Sequence, residues 1–137
     1  MEFRASFCDP FQSRIIELGK INESEIINKF QSILWRDYLD RMSKANESEI
    51  YYSPSLEIEN KANRHGLSIS AVDDEKGGVT YYVFFKRPKL VKKFFGLVKT
   101  LDNDYLTEST DLTEDDVVQC LTALINNDLD YLERKIR

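Results

Sequence analysis

The period of the apolar residues changes twice along this chain, and that restricts the fold more than any other feature. From about Glu23 to Lys44 apolar side chains recur at helical spacing: Ile26, Ile27, Phe30, Ile33, Leu34, Tyr38 and Met42, widened by Trp35 and Leu39. Asn22 stands where a cap belongs, and Glu25 at the third helical position completes a capping box. The other side reads Glu25, Lys29, Arg36 and Asp40, so this helix lays one face on an apolar surface. At residue 55 the period drops to two. Ser55 to Glu59 and Leu67 to Ala71 alternate polar and apolar, and Val79 to Phe85 is an unbroken run of strand formers. A helical period returns at Thr113, which forms a capping-box variant with Asp116. Val117, Val118, Leu121, Leu124 and Ile125 line its apolar side, and Leu129, Leu132 and Ile136 continue it. Asn126 to Asp128 leaves open whether this is one helix or two.

Three strands close together in sequence pair most simply as an antiparallel meander. The expected architecture is therefore α+β: a meander of three to four strands, with N-terminal and C-terminal helices packed on one face in two layers. Weaker signals add a strand at residues 3–7 and a helix at residues 11–20. Residues 87–95 read as a short helix, with Pro88 in its first turn and Gly96 at its end. That helix would turn Phe94 and Phe95 inward and leave Lys89, Lys92 and Lys93 wet. Residues 97–100 and 105–109 read as extended, with room for the fourth strand. No repeat, linker or low-complexity tract interrupts the chain, so residues 1–137 are expected to form one domain.

At 137 residues the chain can bury roughly two-thirds of its unfolded surface, and needs no metal or disulfide to hold it. Cys8 and Cys120 stand far apart with no CxxC, and the single His65 cannot complete a zinc site with them. They are expected as reduced thiols. No run reaches the ~18 apolar residues of a membrane span, and Met1 to Arg4 opens no signal-like segment, so the expected location is cytoplasmic. No cofactor is expected. No Ser-His-Asp set, Cys-His pair, P-loop or GxGxxG can be assembled, which makes an enzyme the least favoured class.

Charge is segregated. Lys86, Arg87, Lys89, Lys92, Lys93 and Lys99 form a stretch of six bases with no acid, and ten acids with no base follow between Thr100 and Glu133. The net charge of −5 repels phosphate, so a nucleic-acid role would have to rest on the local basic patch; with no membrane span either, neither nucleic acid nor membrane is the expected partner. Glu114, Asp115 and Asp116 suit a helix start whatever else they do. Asp102, Asp104, Glu108 and Asp111 precede the last helix, where no secondary structure requires them. With Tyr105, Asp115 and Asp116 they make one candidate binding surface. Tyr82 and Phe84 make another. They point away from Val79, Tyr81, Val83 and Phe85, towards the side of the sheet that Ser55, Glu57, Glu59, Ser68 and Ser70 mark as polar, where they are either open binding anchors or covered by residues 87–110 folding over them.

A short, acidic α/β domain without catalytic motifs resembles the bacterial immunity proteins, which neutralise a toxin domain by covering it. The resemblance implies a protein partner, a basic toxin domain, and occlusion rather than catalysis. It rests on general character and carries no residues over. The competing reading is a structural or adaptor domain that docks on a protein of its own pathway or on a second copy of itself.

Overall fold

The computed structural model describes residues 2–137. Six strands form one antiparallel sheet in the order β2-β1-β3-β4-β5-β6: β1 Phe3–Cys8, β2 Ile16–Ile21, β3 Ser55–Asn60, β4 Gly66–Asp73, β5 Val79–Lys93 and β6 Val98–Leu112. The helices are α1 Glu23–Ser32, α2 Trp35–Lys44, α3 Glu114–Ile125 and α4 Leu129–Lys135, with a 3₁₀ turn at Glu47–Glu49. The α+β class, the meander from β3 onward and the strand at the N-terminus follow the sequence. The strand count does not: six stand where three to four are expected. No helix among the described residues is long and apolar enough to cross a membrane.

Two segments expected as helix are strand. Residues 16–21 pair with β1, and Gly19 at φ 76° lies where the register slips between Ala5 and Ser6. In a helix interior that glycine would cost about 1 kcal/mol relative to alanine; at a bulge its freedom is useful. Residues 87–93 continue β5, because the alternation of Tyr81, Val83 and Phe85 runs on through Arg87. Pro88 does not end the strand. It lies at the irregularity between Arg87 and Lys89, where β6 carries an extra residue and the ladder does not need the missing N–H. Phe94 and Phe95 are consequently exposed, not core. From Arg87 to Lys93 the only strand beside β5 is β6, so this part of the hairpin runs past the rest of the sheet.

The long first helix is also two. Ile33 takes an extended conformation, ending α1, and the Trp35 indole N–H donates to the Phe30 carbonyl at 3.1 Å. The break turns Trp35 into the core, against Phe7, Phe30 and Tyr81 at centroid separations of 6.1, 5.8 and 5.9 Å. The C-terminal segment divides likewise. Asn127 takes φ 55°, and the Asp128 carboxylate caps α4 by accepting from the Tyr131 N–H. Both capping boxes form. Glu25 accepts from the Asn22 N–H, while Asp116 and Thr113 bond each other's N–H groups at 2.9 and 3.1 Å.

One face of the sheet is apolar. Phe3, Ala5, Phe7, Leu56, Ile58, Leu67, Ile69, Tyr81, Val83 and Phe85 are buried there in one cluster with Ile26 and Phe30 of α1, Trp35 of α2, Val117, Leu121 and Leu124 of α3, and Leu132 of α4. Cys120 is fully buried inside this cluster, and burial pushes its thiol up to about 11. Phe30 is fully buried against Trp35 and Tyr81. Phe30→Ala is expected to destabilise the fold by about 3–5 kcal/mol, read as a lower midpoint in urea unfolding at unchanged slope.

Candidate functional site: the open face of the sheet

Directly opposed residues in antiparallel strands share a face. Register therefore assembles a row across all six strands on the side away from the helices: Glu17, Ser6, Glu57, Ser68, Phe84 and Glu108. The next row is Lys20, Arg4, Glu59, Gly66, Lys86 and Leu106. Tyr82 lies opposite Ser70, whose hydroxyl meets that of Ser55 at 2.7 Å. Tyr82 and Phe84 are thus on the open side, as the alternation predicts, each half-buried by its neighbours.

Between these rows lies a hollow of about 240 Å³ lined by Glu57, Gly66, Ser68, Phe84, Lys86 and Leu106. Its floor is apolar and its edge charged, with Lys86 Nζ 4.0 Å from a Glu57 oxygen. Gly66 lines the hollow beside Phe84 and Lys86. Leu106 and Lys86 are not apparent as site residues from sequence. The available signal is period-two spacing across residues 104–110, which sends Leu106 and Glu108 to the face opposite Tyr105 and Thr107.

The acidic candidates do not converge on one surface. Glu108 belongs to the open face, opposite Phe84. Asp102 faces Lys89 across the hairpin and accepts from the Asp104 N–H at 2.9 Å. Asp111 sits at φ 59° at the end of β6, about 23 Å along the strand from Asp104 at ~3.3 Å per residue. Asp115 is exposed in the first turn of α3. Asp116 is engaged internally: the Thr113 N–H and then Lys135, at 2.9 Å, hold its carboxyl below the usual range. Tyr105 faces the helices, its ring 4.7 Å from the Arg87 guanidinium and 5.0 Å from the Lys89 ammonium.

Arg87 is the residue that sequence reasoning misplaces furthest. It is 2% exposed, at the point where β5 leaves the rest of the sheet. Nε and Nη2 donate to the two Glu133 oxygens at 3.1 and 2.7 Å, and Nη1 donates to the Phe85 carbonyl at 3.0 Å and to Thr107 Oγ1 at 2.7 Å. Lys89 reaches the same carboxylate at 3.4 Å. Burial pulls the Glu133 carboxyl up, but Arg87 and Lys89 outweigh it and hold it below its ordinary value. His65 packs edge-on to Phe85 at 6.1 Å, and its pKa is lowered by burial and by the nearby Arg87 charge. One acidic-block residue, Glu133, therefore pairs within the protein with two basic-block residues, the buried Arg87 and the partly exposed Lys89. Among the described residues no group of three or more His, Cys, Asp and Glu could hold a metal ion.

Comparison with protein-family models, with curated proteins and with solved structures finds no match for this chain.

Glu133→Ala leaves Arg87 buried with its charge unpaired and is expected to cost roughly 3 kcal/mol in chemical denaturation. The pH dependence has a definite sign. A carboxyl depressed in the folded state contributes stability above its unfolded value, and that contribution is lost as pH falls through the folded one. Acid unfolding of the native chain should therefore begin to draw on this pair below about pH 4.5. In Glu133→Gln that part of the pH dependence should disappear, leaving a shallower stability profile by circular dichroism.

Proposed function

We propose that this chain is a non-catalytic protein-binding domain whose docking surface is the open face of the sheet, centred on Phe84. One observation carries the reading. The face away from the helices holds an apolar centre, made by Phe84 and Leu106 at the 240 Å³ hollow with Tyr82 on the same face opposite Ser70, within ordered rows of charge. An apolar centre with a polar rim is the anatomy of protein interfaces, where aromatic side chains supply most of the binding energy. Glu57 and Lys86 at the edge of the hollow, and Glu17 and Glu108 at the ends of one row, give a pattern of charge for a partner to match.

The partner class we propose is a toxin domain that this face covers, in the manner of the immunity proteins that the chain resembles in size, acidity and lack of catalytic motifs. The alternative partner is a protein of the chain's own pathway. Titration calorimetry of the chain against the products of neighbouring genes tests the surface itself. Phe84→Asp should weaken binding at least about tenfold, with thermal unfolding little changed because Phe84 lies outside the core. Full affinity in Phe84→Asp overturns the assignment of the face. Growth rescue on co-expression with a toxic neighbour, lost in Phe84→Asp, separates the immunity role from the adaptor role.

A further inference from the structure

Twelve large apolar side chains are exposed among the described residues, and seven of them lie between Leu90 and Leu106 on the projecting hairpin. At its tip Phe94, Phe95 and Leu97 are 72%, 107% and 85% exposed. The tip turn is closed by the Leu97 N–H donating to the Phe94 carbonyl at 3.2 Å, with Phe95 and Gly96 at φ 59° and 85° in its two central positions. Positive φ at both centres is the type I′ geometry, which favours Asn-Gly. Here a phenylalanine occupies the first centre, and Phe94 before it also has positive φ, at 55°. Both rings sit where the backbone disfavours them and water surrounds them, and neither supports the core. Strain of this kind, held at an exposed site, points to a role outside the fold.

Charge indicates what covers the tip. Six of the chain's 19 bases lie in residues 86–99, which contain no acid; the remainder carries all 24 acids against 13 bases, a net charge of −11. Lys92 and Lys99 stand directly opposite each other, a like-charge pair that costs stability until an anion approaches. The first acid beyond the tip, Asp102, is five residues from Leu97, about 17 Å along an extended strand. The Debye length at physiological salt is ~8 Å, so the acidic body is largely screened from whatever the tip touches.

We propose that the tip of this hairpin docks on an anionic lipid bilayer, with Phe94, Phe95 and Leu97 entering the headgroup boundary and Lys92, Lys93 and Lys99 meeting the lipid phosphates and carboxylates. Shallow apolar insertion with a ring of lysines is how peripheral proteins hold anionic membranes, and it needs no membrane span. A second copy of the chain fits less well. The groove of about 380 Å³ between β2 and α1–α2 has Lys29 and Arg41 against one acid, Asp37, in its lining, and so does not suit a basic tip. Duplex nucleic acid would use the lysines but leave Leu97, Leu90 and Leu101 exposed. The inference does not depend on the open-face reading, and Phe84→Asp should leave vesicle binding unchanged.

Co-sedimentation with phosphatidylcholine vesicles, with and without phosphatidylserine, tests the proposal. The chain should pellet only with the phosphatidylserine vesicles, and less as salt rises. Lys92→Ala should weaken binding about fivefold, and Phe95→Ser by about tenfold or more. Phe95→Trp should show blue-shifted emission on the anionic vesicles alone. Phe95→Asn restores the favoured turn pair, so it should bind vesicles more weakly while its melting temperature holds or rises. Three results overturn the proposal: no binding to phosphatidylserine vesicles, binding indifferent to Phe95→Ser, or no emission shift in Phe95→Trp. Retention on duplex DNA or RNA without vesicle binding would reassign the lysines to a phosphate backbone. Self-association abolished by Phe95→Ser, again without vesicle binding, would reassign the tip to a second copy.

Discussion

The Arg87–Glu133 pair joins the C-terminal helices to the sheet where the hairpin departs from it. A guanidinium taken almost wholly out of water costs several kcal/mol unless its donors are satisfied and its charge is met. Here the carboxylate takes two donors, the Phe85 carbonyl and Thr107 Oγ1 share a third nitrogen, and the Phe85 and Tyr105 rings flank the group at 4.2 and 4.7 Å. The connections continue from there. Thr107 Oγ1, while accepting from Arg87, donates to the Ile136 carbonyl at 2.9 Å; Ser109 donates to the Lys135 carbonyl at 2.9 Å; Lys135 closes on Asp116 at the start of α3. β5, β6, α4 and α3 are thereby held in one polar network at the edge of the apolar core. The base of the hairpin is tied down by this network, whereas among the described residues its outer half has no strand neighbour beyond its own partner strand.

That arrangement explains why charge is segregated in sequence. A β-hairpin sets residues equally far before and after its turn side by side, so a basic stretch followed by an acidic one becomes two facing strands near the base and a purely basic tip beyond it. Lys89 meets Asp102 across the strands, and Arg87 and Lys89 meet Glu133 from α4. Past Lys89 no acid is left to pair with. Part of the acidic block has local work as well: Asp116 completes the capping box of α3, Asp128 caps α4, and Asp102 closes a turn on the Asp104 N–H. The two charge blocks are one topological feature, and its outward-facing residue is the lysine-rich tip.

Elements whose evidence is periodic and local were legible in sequence. The strands β3, β4 and the first half of β5, the start of α1 at Asn22 and of α3 at Thr113, and the outward direction of Tyr82 and Phe84 all follow from spacing and capping chemistry. Features that depend on partners far away in sequence were not legible. Lys89, Lys92 and Lys93 alternate with Leu90 and Val91 in a way that fits a helix as well as a strand, and only pairing with β6 decides it. Pro88 reads as a stop because its lost N–H normally matters, yet at a bulge it does not. The open-face row joins residues 17, 6, 57, 68, 84 and 108, an order that only register produces.

The two surfaces place different physical demands on the same strands. An open-face interface needs a rigid, preorganised platform, and Phe84 has one: β4 and β6 flank it, Ser68 and Glu108 stand opposite it, and Val83 and Phe85 on either side are anchored in the core. A tip that enters a soft boundary needs reach and exposed apolar area instead, and tolerates strain that a platform would not. β5 meets both demands by changing its support partway along its length. Up to Lys86 it is an interior strand with a neighbour on each side; from Arg87 it keeps only β6. The buried guanidinium stands at that transition. Its four hydrogen bonds tie the hairpin's base to Glu133, Thr107 and the Phe85 carbonyl, between the tip turn and the part of the sheet carrying Phe84. The two proposed surfaces can share one continuous strand because they use parts of it with different support, divided at the buried, hydrogen-bonded Arg87.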